Sequence, residues 1–413
     1  MTGTVTAVIP LEEARARILA ACPLLPAVSV AMHAASGCVT AEDVYATEDV
    51  PPFDNTAVDG FAVRAADVAN APVELVVVAT VAAGAHRDAP LGPGEAVRIM
   101  TGAPLPPAAD AIVMVEDSEA VGDDRVRLLR AVAAGDAVRR AGSDIRAGEL
   151  VLRAGIELAP PHIGVLASLG RLSVNVHQRP RVGVLSTGDE LIEDGSPLQP
   201  GQIRESNRTM LRPMIAEAGC DVIDLGLVRD DEQALTQVLR NGVETCDALV
   251  TSGGVSMGDF DVVKAVLSRI ADMTWMQIAI RPAKPFAFGL LTSKDGRTVP
   301  IFGLPGNPVS SFVSFELLAR PALRQMLGHR GELLRPSVLA LADEPFRRRP
   351  DGKTHWTRVH GRFESDGRLH VRSTGEQGSH QLAASAGANG LAEVPDGDGI
   401  EVGGELDVIL LNL

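Results

Sequence analysis

From Pro180 onward, short apolar runs alternate with amphipathic stretches along the chain. Residues 182–185, 222–227 and 248–250 read as strands, and residues 204–217, 232–241 and 260–270 as helices. Further strands at 275–280 and 299–302 precede a helix at 309–326. Alternation at this spacing predicts a mostly parallel, three-layer αβα sheet domain over 180–330. Asp230 and Asp231 stand where they can cap the helix that follows them. In such sheets ligands sit beyond the carboxyl ends of the strands.

The flanking patterns differ. Pro10 opens a helix over 11–21 with Leu11, Ala14, Ile18 and Leu19 on one face. Residues 51–141 hold short apolar runs at 73–78, 96–100 and 111–115 separated by turn residues, which predicts a small inserted β domain. A short helix near 160–169 stops at Gly170, and with the N-terminal helix it predicts a discontinuous domain, 1–50 and 142–179. After Pro336 the helical signal ends. Runs at 339–342, 355–363, 369–372, 391–394 and 406–411 predict a small β-barrel-like domain over 331–413.

Composition narrows the class. A chain of 413 residues is long enough for several domains. With 46% hydrophobic but only 3% aromatic residues, aliphatic side chains must fill its cores. A net charge of −15 argues against a nonspecific nucleic-acid or membrane-surface binder, and leaves room for a local basic pocket. Cys22, Cys38, Cys220 and Cys246 are widely spaced with no metal-ligand motif, which argues against structural zinc and fits a reducing compartment. The N-terminus does not read as a signal peptide, and no run approaches the ~20 apolar residues of a membrane span. The expectation is a soluble cytoplasmic protein that binds neither nucleic acid nor membrane.

Three strand-end loops carry the candidate chemistry. In Asp247-Ala-Leu-Val-Thr-Ser-Gly-Gly-Val-Ser-Met-Gly-Asp-Phe-Asp261, an apolar run ends in Ser252, Gly253 and Gly254, and Asp259 and Asp261 follow. A Gly-Gly pair at a strand end can form an anion-binding nest. Carboxylates beside it would repel phosphate unless a cation lies between them, which points to Mg²⁺. Ser186, Thr187 and Gly188, followed by Asp189 and Glu190, repeat the layout; alone, this motif reads equally well as a capped turn. Arg281 and Lys284, braced by prolines, form a rigid basic turn suited to an anion. Pro305 and Pro308 stiffen a Gly-Asn turn at a helix start. Asp59-Gly60 and Thr101-Gly102, taken alone, read as ordinary turns.

Taken together, the motifs resemble one family. Phe53-Asp-Asn-Thr-Ala-Val-Asp-Gly-Phe-Ala62, Met100-Thr-Gly-Ala-Pro104, Leu185-Ser-Thr-Gly-Asp-Glu-Leu191, Ser252-Gly-Gly-Val-Ser-Met-Gly-Asp259, Arg281-Pro-Ala-Lys-Pro285 and Leu304-Pro-Gly-Asn-Pro-Val-Ser310 occur in the order of the MoeA/gephyrin E-domain family of molybdopterin molybdenumtransferases. The resemblance implies a four-domain homodimer with a MogA-like sheet domain and active sites between subunits. It implies insertion of molybdate into adenylylated molybdopterin, with Mg²⁺-dependent release of AMP. Glu190, Asp230 and Asp261 match acids tied to Mg²⁺ and adenylate cleavage. Asp59, Thr101, Arg139 and Asp144 match functional positions expected to face the partner subunit's sheet. Ser252, Gly253 and Gly254 match a pterin-phosphate cradle, and Pro305 and Pro308 the cassette that shapes the pocket. Arg358 and Ser379 match positions linked to molybdate together with Arg281 and Lys284. The implied protein partners are the molybdopterin adenylyltransferase and recipient molybdoenzymes.

Departures are few. The family usually has Lys at Arg281 and Gly at Ala283, and Ser, Met and Tyr at Thr56, Val58 and Phe61. Two other readings compete: adenylyl transfer from ATP to molybdopterin, and a noncatalytic pterin-binding scaffold. The retained acids and cations weigh against the scaffold.

Overall fold

A computed structural model describes residues 7–254, 262–331 and 333–411. Its centre is a seven-stranded sheet in the order Val8–Ile9, Asp272–Ile278, Pro285–Thr292, Thr298–Leu304, Ala248–Ser252, Arg181–Thr187 and Asp221–Val228. The last four strands run parallel, and Pro285–Thr292 runs antiparallel to both its neighbours. Helices cover both faces. Leu211, Ile215, Val313 and Leu323 pack on one side with Val184 and Phe302. Leu235, Leu239, Val263 and Val266 pack on the other with Leu185 and Leu249. Burial on both faces explains why these strands read as unbroken apolar runs.

The strand Pro285–Thr292 is absent from the sequence expectation. Pro282 and Pro285 look like turn residues, yet the chain makes a hairpin there, closed by the Ile278 N–H donating to the Lys284 carbonyl at 2.7 Å. The expected single helix at 309–326 is three pieces: Pro308–Ser314, a π-helical turn Phe315–Ala319, and Arg320–Met326. Pro321 explains the break. It has no N–H for the Leu317 carbonyl, and its ring crowds that carbonyl. Arg15 fills the gap, its Nε donating to the Leu317 oxygen at 3.0 Å.

That contact also places the first helix. Leu11, Ala14 and Ile18 of Leu11–Ala21 join the sheet domain's core rather than residues 142–179, with which the sequence expectation grouped them. The amphipathic face finds the larger apolar surface. What residues 27–46 and 150–177 share is pairing: Ala27–Ala31 with Ser173–His177, and Val44–Tyr45 with Leu150–Leu152. Between them lies a six-stranded sheet over residues 60–128, entered and left through Asn55–Thr56 paired with Val138–Arg139.

The C-terminal strands Ser337–Ala342, Thr354–Phe363, Leu369–Ser373, Gly390–Val394 and Glu405–Leu410 close into a barrel, because Thr354–Phe363 pairs with both Leu369–Ser373 and Gly390–Val394. Ile280–Arg281 adds a parallel edge, with Arg281 opposite His355. Backbone hydrogen bonds therefore tie the basic turn to both the sheet and the barrel.

His329 links the segment around Glu157 to the last sheet-domain helix; its Nε2 lies 3.7 Å from Glu157 Oε2 and its Nδ1 3.2 Å from Arg324 Nη2. Burial, then the Arg324 charge, hold its pKa down to about 4. The imidazole is therefore neutral in the fold at pH 7, whereas the unfolded chain takes up a proton near pH 6.5. Stability is complete above that value and falls as pH drops towards 4, by roughly 1–2 kcal/mol after allowance for solvent screening. Urea unfolding at stepped pH is expected to show this loss, and His329→Gln to lack it.

Candidate active site

The parallel strands end at a cavity of about 860 Å³. Four strand-end loops line it. They bring Ser186, Thr187, Gly188 and Glu190 from the first, Asp230 from the second, Gly253 and Gly254 from the third, and Pro305 to Pro308 from the fourth. With Ser252, they bring most of the sheet-domain candidates read from sequence into one place; Arg281 and Lys284 line a second cavity. Asp261 and Asp259 lie outside the described residues.

Local chemistry explains the loop shapes. Gly253 and Gly254 have φ of +97° and +74°. A Cβ on Gly254 would lie 2.1 Å from Val263 Cβ, and one on Gly253 3.1 Å from the Thr187 carbonyl oxygen. Only glycine fits this approach. Asp230 and Asp231 play different parts. Asp231 caps the helix Glu232–Thr245, accepting from the Ala234 N–H at 2.6 Å. Asp230 faces the cavity; its Oδ2 accepts from the Asp189 N–H at 3.4 Å, and its own N–H donates to Asp189 Oδ1 at 3.3 Å. Only Asp231 meets the capping expectation.

The two serines of the floor differ in polarity. Ser186 Oγ donates to the buried Glu205 carboxylate at 3.0 Å, so its only proton is used. Glu205 also accepts the Arg208 and Thr209 N–H groups at 2.6 and 3.2 Å. A protein carboxylate thus already occupies the N-terminus of Asn207–Glu217, and phosphate must find its donors elsewhere. Asn207 Nδ2 donates to Ser252 Oγ and to the Gly306 carbonyl, both at 2.7 Å. A carbonyl can only accept, which fixes the amide's orientation. Among the described residues no acceptor takes the Ser252 proton, which is left to donate into the cavity, and Asn207 Oδ1 is buried without a partner among them. Glu205 and Asn207 escaped the sequence reading. An acid three residues before a helical N–H was the signal available.

A second cavity, about 350 Å³, abuts the first and shares Pro285 and Asn307 with it. Arg281, Lys284 and Lys353 line it, with Ser310 and Ser379. Lys353 comes from the barrel and was not singled out in the sequence; its Nζ is 3.3 Å from Asp351 Oδ2. Ala283, where the family usually has glycine, holds φ of +75°, a left-handed conformation that costs an L-residue about 1–2 kcal/mol. Asn307 Nδ2 donates to Ser379 Oγ at 3.1 Å, so one amide joins the two cavities to the barrel loop. Such a cation set suits an oxyanion.

The remaining candidates stand apart. Arg358 lines neither cavity and is 1% exposed. Asp59, Thr101, Arg139 and Asp144 also line neither. Asp59 Oδ1 accepts from both the Thr101 N–H and Oγ1 at 2.7 Å, which holds its carboxyl below the usual range. Arg139 is exposed on Val138–Arg139, and Asp144 is exposed with its N–H donating to the Val50 carbonyl at 3.0 Å.

The sequence matches three family descriptions in succession: MoeA N-terminal region (domain I and II) over residues 9–170, probable molybdopterin binding domain over 183–325, and MoeA C-terminal region (domain IV) over 342–411. It is 36% identical to a molybdopterin molybdenumtransferase of Haemophilus influenzae over 382 residues, 92% of this chain and 93% of that one. It is 34% identical to a protein of the same name from Bacillus subtilis over 383 residues, 90% of this chain and 86% of that one. The fold matches a crystal structure of a molybdopterin biosynthesis MoeA protein from Pyrococcus horikoshii with a TM-score of 0.82, at 32% identity, covering 98% of this chain and 100% of that one. The sequence and the four-part architecture agree, and the chain belongs to the MoeA family, transferases of molybdenum cofactor biosynthesis.

Proposed function

We propose that this protein inserts molybdate into adenylylated molybdopterin and releases AMP, as a homodimer and with Mg²⁺. The observation that carries the reading is the pair of abutting cavities, one rimmed by Glu190 and Asp230, the other lined by Arg281, Lys284 and Lys353. Ser252 and the Gly253–Gly254 turn would receive the pterin phosphate, and the cationic cavity would hold molybdate beside it.

The acid rim fits Mg²⁺. Among the described residues, no group of three or more His, Cys, Asp or Glu side chains forms a ready metal site. Mg²⁺ typically takes one or two protein carboxylates and fills its shell with water and phosphate oxygens. Glu190, Asp230 and, outside the described residues, Asp261 would supply them. Bound there, the ion would neutralise charge on the phosphate oxygens as the phosphoanhydride breaks. The chain's own part is to orient the phosphate through Ser252, and to keep molybdate next to the dithiolene through the three cations.

Among the described residues no helix is long and apolar enough to cross a membrane. The test is incubation of the purified protein with adenylylated molybdopterin, molybdate and Mg²⁺. AMP is expected to accumulate only with Mg²⁺ present. AMP no higher than in a protein-free control would overturn the proposal, and ATP consumption with molybdopterin alone would favour adenylyl transfer.

A further inference from the structure

The strand Asp221–Val228 forms one edge of the central sheet and leads into Asp230. Its pairing with Arg181–Thr187 changes register once. Val184 stands opposite Asp224, but the next residue, Leu185, stands opposite Gly226. Leu225 is therefore a one-residue bulge. The side chains record it. Ile223 and Leu225 pack against the core that holds Leu235 and Leu239, and so does Val228, so odd positions give way to an even one. An extra residue exchanges the two faces of all that follows it. The new register carries on past the strand. The Gly188 N–H donates to the Val228 carbonyl at 3.3 Å, and the Asp189 and Asp230 N–H groups each donate to the other's carboxylate, at 3.4 and 3.3 Å. In the register that holds from Arg181 to Val184, Asp189 would face Arg229 instead.

A cluster of charged side chains grips the bulge. Asp224 Oδ1 accepts from the Gly226 N–H at 2.9 Å, spanning Leu225, and from Arg208 Nη1 at 2.5 Å. Asp224 Oδ2 lies 3.2 Å from Arg212 Nη1. Gly226 has φ of +85°, which glycine adopts without steric cost. Arg208 is buried, and its Nη2 donates to Glu193, on the loop that follows Glu190. One guanidinium thus holds both the bulge that precedes Asp230 and the loop that carries Glu190. We infer that Asp224 and Arg208 are positioning residues: they pin the bulge at Leu225, and the bulge sets Asp230 rather than Arg229 opposite Asp189 at the cavity. Neither lines that cavity. Without the bulge, a cation would stand where the rim has an acid. The bearing on AMP release rests on the proposed reading of that rim as the Mg²⁺ site.

The test is Asp224→Ala in the full-length protein, read by its crystal structure and, separately, by AMP release. The crystal structure is expected to show Leu225 opposite Leu185 and Arg229 opposite Asp189. AMP release is expected to fall roughly tenfold, the scale of one lost hydrogen bond to a charged group. Asp224→Asn keeps an oxygen for the Gly226 N–H and is expected to keep the bulge. Deleting Leu225 from Asp224→Ala removes the extra residue, so a regular strand again brings Asp230 opposite Asp189. That combination is expected to recover the lost AMP release. A bulge that survives in Asp224→Ala, or a folded deletion variant that recovers nothing, would overturn the inference. Absence of Mg²⁺-dependent AMP release by the wild-type protein would instead overturn the reading of the rim, and the crystal structures alone would then decide the register. Should Asp224→Ala fail to fold, Gly226→Ala takes its place: a left-handed alanine costs about 1–2 kcal/mol and disfavours the bulge from its other side.

Discussion

Glu190→Gln is expected to lower AMP release roughly 100-fold, about 2.7 kcal/mol in the barrier, while the melting temperature stays where it is. Glu190 is exposed at the rim of the larger cavity, and no hydrogen bond or ion pair of its carboxylate is found among the described residues. The fold does not lean on it, so the change removes only charge presented to the site. The two neighbouring acids of the next loop sharpen the test. Asp230→Asn is expected to behave like Glu190→Gln, because Asp230 faces the cavity and its contact with the Asp189 N–H survives the exchange. Asp231→Ala is expected to do the reverse: it loses the cap on the Ala234 N–H, costs ~1 kcal/mol of stability, and leaves turnover intact. Raising Mg²⁺ is expected to recover part of the activity of the rim variants and none of the lost stability of Asp231→Ala. Equal activity of Glu190→Gln and wild type would remove that residue from the reaction.

Co-expression of Asp59→Asn and Glu190→Gln subunits is expected to restore activity that neither variant has alone. Asp59 is held firmly by Thr101, yet both lie away from the two cavities of their own chain. The proposed homodimer gives the pair a purpose: they would complete the site on the partner's sheet. Random pairing makes half of all dimers mixed. Each mixed dimer then has one site with both changes and one with neither, so about a quarter of wild-type activity returns. Activity that stays at the level of the separate variants would show that Asp59 and Glu190 do not serve one site across two subunits. The same mixture made with Glu190→Gln and Asp230→Asn is the control: both residues sit on one cavity of one chain, so a mixed dimer has no intact site.

Much of the architecture was legible because its signals are local. The alternation after Pro180 reports burial on two faces, and it marked each parallel strand and the helices between them. Where a local signal had two meanings, the reading failed. Pro282 and Pro285 signal a turn and also border the unpredicted strand Pro285–Thr292. Pro321 within an apolar helix pattern goes with a π-helical turn, and the Leu317 carbonyl it cannot bond is taken by Arg15, 302 positions from Leu317. The helix Leu11–Ala21 was read correctly, but its partner was not, since an amphipathic face does not name the surface it will cover.

The sequence by itself determined the order of elements, the strand-end loops rich in glycine and small hydroxyls, and the family. Each depends on residues close together in the chain. Only the tertiary structure decided what each candidate can do, because a side chain's chemistry is set by its hydrogen-bond partners. Asn207 reaches Gly306 across 99 positions and donates to Ser252 Oγ, so that no acceptor among the described residues takes the Ser252 proton; Glu205 takes the Ser186 proton and fills a helix end where phosphate would otherwise fit. Lys353 and Arg358 stand five apart on the chain and look alike as cations. Folding lines a cavity with the first and encloses the second in five hydrogen bonds.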